Sequence, residues 1–131
     1  MKSPTETVEN CLDATMSFSA EDGSLVVIFR EAPDAPLVTL TCGYGACEWV
    51  LAGIDAVRKR IGFDRLLPRD VAKSEDGRVL FVTIEAKRGK LEWEVSSPFG
   101  IAGWRLSMER TELAQLRAAT VKAMKQEDAK P

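Results

Sequence analysis

Two cysteines flank a glycine-rich segment, and they are the first residues whose types and spacing could carry chemistry. The segment reads Cys42-Gly-Tyr-Gly-Ala-Cys47. A metal site would need more ligands, and because the chain offers only Cys11 and no histidine, oxygen ligands would have to complete it. A redox pair would favour the C-x-x-C spacing that lowers a thiol pKa. We therefore predict that Cys42 ends a strand and Cys47 faces the core, with no metal and no cofactor.

The same segment could bind an anion through Gly43, Tyr44 and Gly45, which lie between a predicted strand and a predicted helix. Free backbone N–H groups at the start of a helix attract anions. The segment lacks the third glycine of dinucleotide-binding loops and the Gly-Lys-Ser/Thr of phosphate-binding loops. Glu48, in the first helical turn, would also repel an anion. Binding of a small anion or ligand at this loop is therefore one hypothesis among three.

Carboxylates recur in the second half of the chain, where Glu92 and Glu94 alternate with apolar residues and Glu85 lies in the preceding predicted strand. Paired carboxylates can serve acid–base or glycosidic chemistry. The simpler interpretation is the solvated side of an antiparallel strand. The chain contains no histidine, which excludes Ser-His-Asp and Cys-His catalysis within it. We predict that the protein is not an enzyme and has no catalytic residues.

Basic and aromatic residues accompany each other on three neighbouring predicted strands of the second half. Proteins bind single-stranded nucleic acid on such a surface, because bases stack on the rings above a cationic sheet. The order of strands followed by a helix is also similar in topology to the Whirly and PUR groups of single-strand binders, which implies a nucleic-acid partner. Trp93 shares its strand face with Leu91 and Val95, however, and would serve equally well in a core. The residues of this hypothetical nucleic-acid face are Arg78, Phe81, Lys87, Arg88, Lys90, Trp93, Trp104 and Arg105.

The elements that must position these side chains are clearest between residues 78 and 96. Residues 79–84 are β-branched, aliphatic or aromatic, and residues 91–96 alternate between apolar and polar, so both limbs predict strands. Gly89 lies between the limbs, where glycine adopts a positive φ at little cost. This stretch therefore predicts a β-hairpin.

The remaining patterns predict strands near residues 12–19, 24–30, 37–42 and 104–108, and helices near residues 47–61 and 110–125. A short edge strand near residues 69–73 would add to these. The order is β-β-β-α-(β)-β-β-β-α, which predicts an α+β domain with an antiparallel sheet of about six strands and two helices. The second helix would either pack on the sheet or dock a partner.

Residues 21–32 and 75–86 resemble each other, because they align without a gap and agree at five of twelve positions. An internal duplication of a strand-strand-strand-helix unit would explain the match. Convergence of two strands that each start from an Asp-Gly turn would explain it too.

The size and net charge of the chain limit the number of domains and the kinds of partner that we expect. The chain has 131 residues, is 45% hydrophobic and carries a net charge of −2, which fits one domain without a strongly charged partner. We predict a flexible segment at residues 1–10, a single α+β domain at residues 11–126 and a flexible tail at residues 127–131. The absence of a secretory or membrane-spanning pattern in the sequence predicts a soluble, cytoplasmic protein that does not bind membranes. The leading hypothesis is an interaction module for a protein partner, and single-stranded nucleic-acid binding is the alternative.

Overall fold

The computed structural model describes residues 7–8, 14–67, 72–78, 80–96 and 103–131. These residues contain nine strands and two helices, and the predicted α+β class is confirmed. In chain order the elements are β1 (Thr7–Val8), β2 (Thr15–Glu21), β3 (Ser24–Arg30), β4 (Val38–Cys42), α1 (Tyr44–Lys59), β5 (Phe63–Leu66), β6 (Ala72–Ser74), β7 (Phe81–Lys87), β8 (Lys90–Ser96), β9 (Gly103–Met108) and α2 (Arg110–Asp128).

The strands form two sheets, which corrects the prediction of one sheet of about six strands. One sheet has the order β2-β3-β4-β6, and the other has the order β1-β9-β8-β7-β5. All pairs are antiparallel except β1 with β9, which is parallel. The sequence does not predict β5, because its four residues do not alternate between buried and exposed positions.

Each sheet contains one tight hairpin, β2–β3 in the first and β7–β8 in the second, and the predicted β7–β8 hairpin is confirmed. Both close with two-residue turns whose residues have positive φ: 51° and 88° at Asp22 and Gly23, and 53° and 78° at Arg88 and Gly89. Such turns match the twist of the strands that they join. Buried and more exposed residues alternate along the strands of both hairpins, so each hairpin presents one apolar face to the core.

The two helices are exchanged between the halves of the chain. α1 follows the first three-stranded meander but lies mainly on β5, β7 and β8 of the other sheet, whereas α2 lies on β2 and β3. Gly53 allows the close approach of α1, since a side chain there would meet Leu91, Phe63 and Ile84 at 3.2–3.5 Å. Neither helix, within the described residues, has the length and apolar character needed to cross a bilayer.

The core lies where the inward faces of the two sheets meet. Phe29 of β3 contacts Trp93 of β8 and Trp104 of β9, with ring centroids 5.8 and 5.7 Å apart. Aromatic rings at this spacing and tilt pack favourably beyond the area that they bury. These three rings join the halves into one core.

The folded part extends further than the predicted domain limits. Thr7 and Val8, inside the predicted flexible segment, pair with β9. α2 continues to Asp128, and Lys130 donates a hydrogen bond to the Asp22 carbonyl at 2.9 Å, so the predicted tail at residues 127–131 is attached to the β2–β3 turn. Residues 1–6 and 9–13 lie outside the described residues.

The internal sequence match does not coincide with the internal repeat of the fold. The repeat is a three-stranded meander followed by a helix, which pairs β2-β3-β4-α1 with β7-β8-β9-α2. The aligned residues 21–32 and 75–86 instead superimpose β3, the middle strand of its meander, on β7, the first strand of the other. The two segments therefore occupy different places in the repeat.

Candidate functional site

A surface cleft lies where the end of α1, the first half of α2 and the β7–β8 turn meet. It has two adjoining parts, of about 710 and 470 Å³, which share Val57, Arg60 and Gly89. Basic side chains dominate the lining, and no carboxylate of the described residues lines either part. We call this site the cationic cleft; its basic residues are Arg58, Arg60, Lys87, Arg88, Arg110 and Arg117.

Local structure explains how the basic residues reach the cleft. Arg58 lies in the last turn of α1, where a cation favours the negative end of the helix dipole. Arg60 caps the helix in a left-handed conformation, with φ 57° and ψ 40°. Arg88 is left-handed as well. Arg110 is the first residue of α2, and Arg117 lies two turns further along.

The left-handed arginines are unusual because this backbone conformation suits glycine, asparagine or aspartate. Only three described residues other than glycine have a positive φ, and two of them, Arg60 and Arg88, line the cleft. Both positions therefore place an arginine at the same concave surface in a backbone conformation that arginine rarely adopts.

The carboxylates nearest in sequence are engaged elsewhere. Asp55 pairs with Lys59 at 3.4 Å, and Glu109 pairs with Lys90 at 3.8 Å. Glu109 and Glu112 form a capping box at the start of α2, in which the Glu109 N–H donates to Glu112 Oε1 at 3.1 Å. The six basic residues of the cleft make no ion pair with any other described residue. Within the part of the chain that the structure describes, their charges are therefore not paired.

The floor of the cleft is aliphatic. Ile54 and Val57 from α1 and Leu113 and Ala114 from α2 line the larger part. Ala56 and Ala86 line the smaller part, together with Ile61, which is 57% exposed. No aromatic side chain of the described residues lines either part. The arrangement suits an extended ligand with apolar groups below and several anionic groups around its rim.

The hypothetical nucleic-acid face does not form as one surface. Trp93 and Trp104 are 0% and 6% exposed, and the Trp93 indole N–H donates to Met108 Sδ at 3.1 Å. Neither ring can stack on a base in this conformation, which corrects the prediction that they lie on the binding face. Phe81 is half-buried on the opposite, outward side of β7.

The basic residues of that face separate into three places. Lys87 and Arg88 line the cationic cleft, and Lys90 lies at its rim in the pair with Glu109. Arg105 lies on the outward face of β9, where its Nε contacts Glu94 Oε2 at 3.0 Å.

Arg78 lies before β7, at the far end of the hairpin from the turn. It pairs with Asp76 at 2.8 Å, and hydrogen bonds from Ser74 and Arg78 lower the pKa of Asp76. Arg78 is therefore neutralised locally and contributes nothing to the cleft.

The predicted row of carboxylates does form on the outward face of the second sheet. Glu85 lies opposite Glu92 in the register, and Asp64 lies opposite Glu85. Arg105 balances the row through Glu94 and through Glu92, at 3.9 Å. No cleft contains these residues among those described above, and the prediction that they are not catalytic stays a prediction.

The segment from Gly43 to Gly45 is mostly helix. α1 begins at Tyr44, so Gly43 is its N-cap and only one glycine precedes the helix. Side chains added at Gly43 or Gly45 would meet nothing within 4 Å, and Tyr44 is 39% exposed. The three residues line neither part of the cationic cleft, and anion binding there stays a prediction.

Both described cysteines are buried, as predicted. Burial, and then the nearby Cys47, raises the pKa of Cys42 to about 12, and burial raises the pKa of Cys47 as well. The Cys47 thiol donates to the Cys42 carbonyl at 3.5 Å. Because both thiols stay protonated and shielded, the helix dipole does not produce a reactive thiolate here. Within the described ranges, no cluster of cysteine, aspartate and glutamate could hold a metal.

Sequence reasoning missed the site because its parts come from three distant segments. Arg58 and Arg60 fit a helix end, and Arg117 fits an outer helical face, so neither pattern indicates a binding role. One local signal was available: Lys-Arg-Gly-Lys places Arg88 where a two-residue turn favours asparagine or aspartate.

No protein-family model, curated protein or solved structure matches this chain.

Proposed function

We propose that the protein is a binding module whose cationic cleft takes an acidic, partly apolar segment of a partner protein. The observation that carries the proposal is the set of six basic side chains around one aliphatic floor, with no carboxylate of the described residues among them. Guanidinium groups bind carboxylates with two parallel hydrogen bonds, which gives orientation as well as attraction.

The aliphatic floor favours a protein segment over single-stranded nucleic acid. Bases gain much of their binding energy by stacking on aromatic rings. The exposed Ala114 and Ile61, above the buried Ile54, Val57 and Leu113, offer an aliphatic surface instead, which suits leucine or valine side chains of a peptide. An amphipathic acidic segment would place apolar residues on the floor and carboxylates on the rim.

The conformations of Arg60 and Arg88 support a binding role for the cleft. Each holds an arginine in a backbone region that costs about 1–2 kcal/mol for a residue with a side chain. Asparagine or glycine would relieve that cost but remove a cation from the rim. Both arginines place a cation at the rim, as a site for an anionic partner requires.

Fluorescence anisotropy with a labelled peptide of alternating glutamate and leucine pairs tests the proposal. The variant Arg58→Gln/Arg117→Gln removes two exposed charges from the cleft and is expected to weaken binding by about tenfold or more. The variant Lys122→Gln/Lys125→Gln removes two exposed charges from the C-terminal half of α2, outside the lining of the cleft, and is expected to change binding less than about twofold.

Single-stranded DNA of matched charge serves as the competing probe. Equal weakening by both double variants would contradict the proposal, because binding would then depend on net charge alone. Tighter binding of DNA than of the peptide, lost in the Arg58→Gln/Arg117→Gln variant, would assign the cleft to nucleic acid instead.

A further inference from the structure

Among the described strands, β2 forms an open edge of the first sheet, and it lacks the features that protect an edge from pairing with another chain. It spans seven residues, carries no charge from Thr15 to Ala20 and contains no proline. Protected edges are short, charged or interrupted. The other described edge strands follow this rule: β1 has two residues, β6 has three with Lys73, and β5 has four with Asp64 and Arg65.

The β2–β3 turn determines which backbone groups of β2 face outward. Glu21 and Ser24 flank the two-residue turn, so this pair exchanges its hydrogen bonds within the hairpin. Because bonding alternates along an antiparallel strand, every second residue of β2 directs its N–H and C=O to the open edge. These residues are Met16, Phe18 and Ala20, whose side chains are half-buried.

We propose that two copies of the chain associate through β2, pairing antiparallel about a twofold axis at Phe18 to give a continuous eight-stranded sheet. Phe18 is the midpoint of Thr15–Glu21, so this register pairs all seven residues of each copy. The outward N–H and C=O groups then all find partners. The two Phe18 side chains become a cross-strand aromatic pair, which stabilises antiparallel strands.

Charge favours a second copy over an unrelated strand. Arg30 lies opposite Thr15 on the outward face of the hairpin. Its Nη1 donates to the Pro33 carbonyl at 3.1 Å, whereas its Nε is shielded from solvent and has no partner among the described residues. In the symmetric register, Glu21 of the second copy lies one strand beyond Thr15, about 10 Å from Arg30 between Cα atoms. That spacing allows the Arg30 guanidinium to pair with the Glu21 carboxylate of the second copy. Because of the twofold axis, the same pair forms twice in the dimer.

Within one chain these two residues cannot meet. Glu21 adjoins the turn, where it pairs with Ser24 of β3. Arg30 lies six residues after Ser24, at the opposite end of the hairpin, so the two side chains are separated by about 20 Å along the strand. Glu21 instead accepts a hydrogen bond from Ser19 at 2.7 Å. Any energetic coupling between Glu21 and Arg30 therefore reports a contact between copies.

Sedimentation equilibrium from micromolar to millimolar concentration measures the association. We expect the wild-type chain to dimerise, and we expect Glu21→Arg and Arg30→Glu each to weaken the dimer by about tenfold. The double variant Glu21→Arg/Arg30→Glu is expected to restore the dissociation constant to within about threefold.

Two further variants separate this interface from general effects. Ser17→Lys/Ser19→Lys sets lysines opposite lysines across the twofold axis at exposed positions, and is expected to abolish the dimer without unfolding the chain. Lys73→Glu, on the opposite edge of the same sheet, is expected to leave it unchanged. A wild-type chain that stays monomeric at millimolar concentration would overturn the proposal, as would a double charge swap that fails to restore association.

Discussion

The β2–β3 and β7–β8 hairpins share one turn geometry, yet one turn is covered and the other is open. At Asp22–Gly23 the Gly23 N–H donates to Gln126 Oε1 at 3.0 Å, and Lys130 Nζ donates to the Asp22 carbonyl. At Arg88–Gly89 the corresponding helix, α1, stops at Lys59 and leaves the cationic cleft. The same meander-and-helix unit therefore produces a closed end and a concave end.

Helix length accounts for the difference. α2 has 19 residues and α1 has 16, so α2 reaches about 4.5 Å further along its sheet. Gln126 near the end of α2, and Lys130 just beyond it, place an amide and an ammonium group over the first hairpin. The comparison shows how a concave surface can arise where one copy of a repeated unit has a shorter helix than the other.

The largest expected effect tests whether solvent reaches α1 only at its C-terminal end, beside the cationic cleft. At the other end, the pKa of Cys42 is raised to about 12 from an ordinary value of 9.0. The folded chain keeps this proton while the unfolded chain loses it, so the stabilisation is complete below pH 9 and declines above it. We expect the free energy of unfolding to fall by about 2 kcal/mol between roughly pH 8 and pH 10.5.

Urea unfolding at a series of pH values measures that decline. Cys42→Ala removes the buried thiol and is expected to flatten most of the slope. Identical slopes for the wild type and the variant would show that water reaches the thiols, and hence that α1 is open along its whole length.

The next effect compares the two turn glycines directly. Alanine at either position adopts a strained left-handed conformation. At Gly23 its side chain would also collide with the Glu127 carboxylate, whereas nothing lies within 4 Å of the corresponding position at Gly89. We expect Gly23→Ala to cost about 2 kcal/mol and Gly89→Ala about 1 kcal/mol of unfolding free energy. Equal costs in urea denaturation would argue that the first turn is no better covered than the second.

Gln126→Ala tests the contact that closes the first turn. It removes the acceptor for the Gly23 N–H and is expected to cost about 1 kcal/mol of unfolding free energy. Gln115→Ala, at an exposed position of the same helix, is the control and is expected to stabilise the fold by no more than a few tenths of a kcal/mol, because alanine is the better helix former. If thermal and urea unfolding show that Gln126→Ala loses no more unfolding free energy than the control, the hydrogen bond from Gly23 to Gln126 does not stabilise the closed turn.

The smallest expected effect is a gain. Arg88→Asn gives the open turn the residue that its backbone favours, and is expected to stabilise the fold by about 0.5–1 kcal/mol. The same change removes a cation from the cleft, so the acidic peptide is expected to bind several-fold more weakly. Urea unfolding and anisotropy on one preparation check both halves of this prediction, and unchanged peptide binding would place Arg88 outside the site.

Local patterns predict the strands and helices well, because alternation and helical spacing depend on near neighbours. The alternation of Leu91, Trp93 and Val95 predicts both the strand and its buried face. These local patterns could not predict the number of sheets, because that number depends on the pairing of β4 with β6, a strand that is distant in the sequence. The cleft was beyond them for the same reason: Arg58 and Arg117 converge only because α1 and α2 exchange sheets.

The exchange of helices has a consequence for synthesis on the ribosome. The inward faces of β2 and β3 are covered by α2, which is made some 80 residues after β3 emerges. Until then, Leu25, Val27 and the half-buried Phe18 have no helix above them. The first half of the chain therefore completes its hydrophobic core only after α2 has been made.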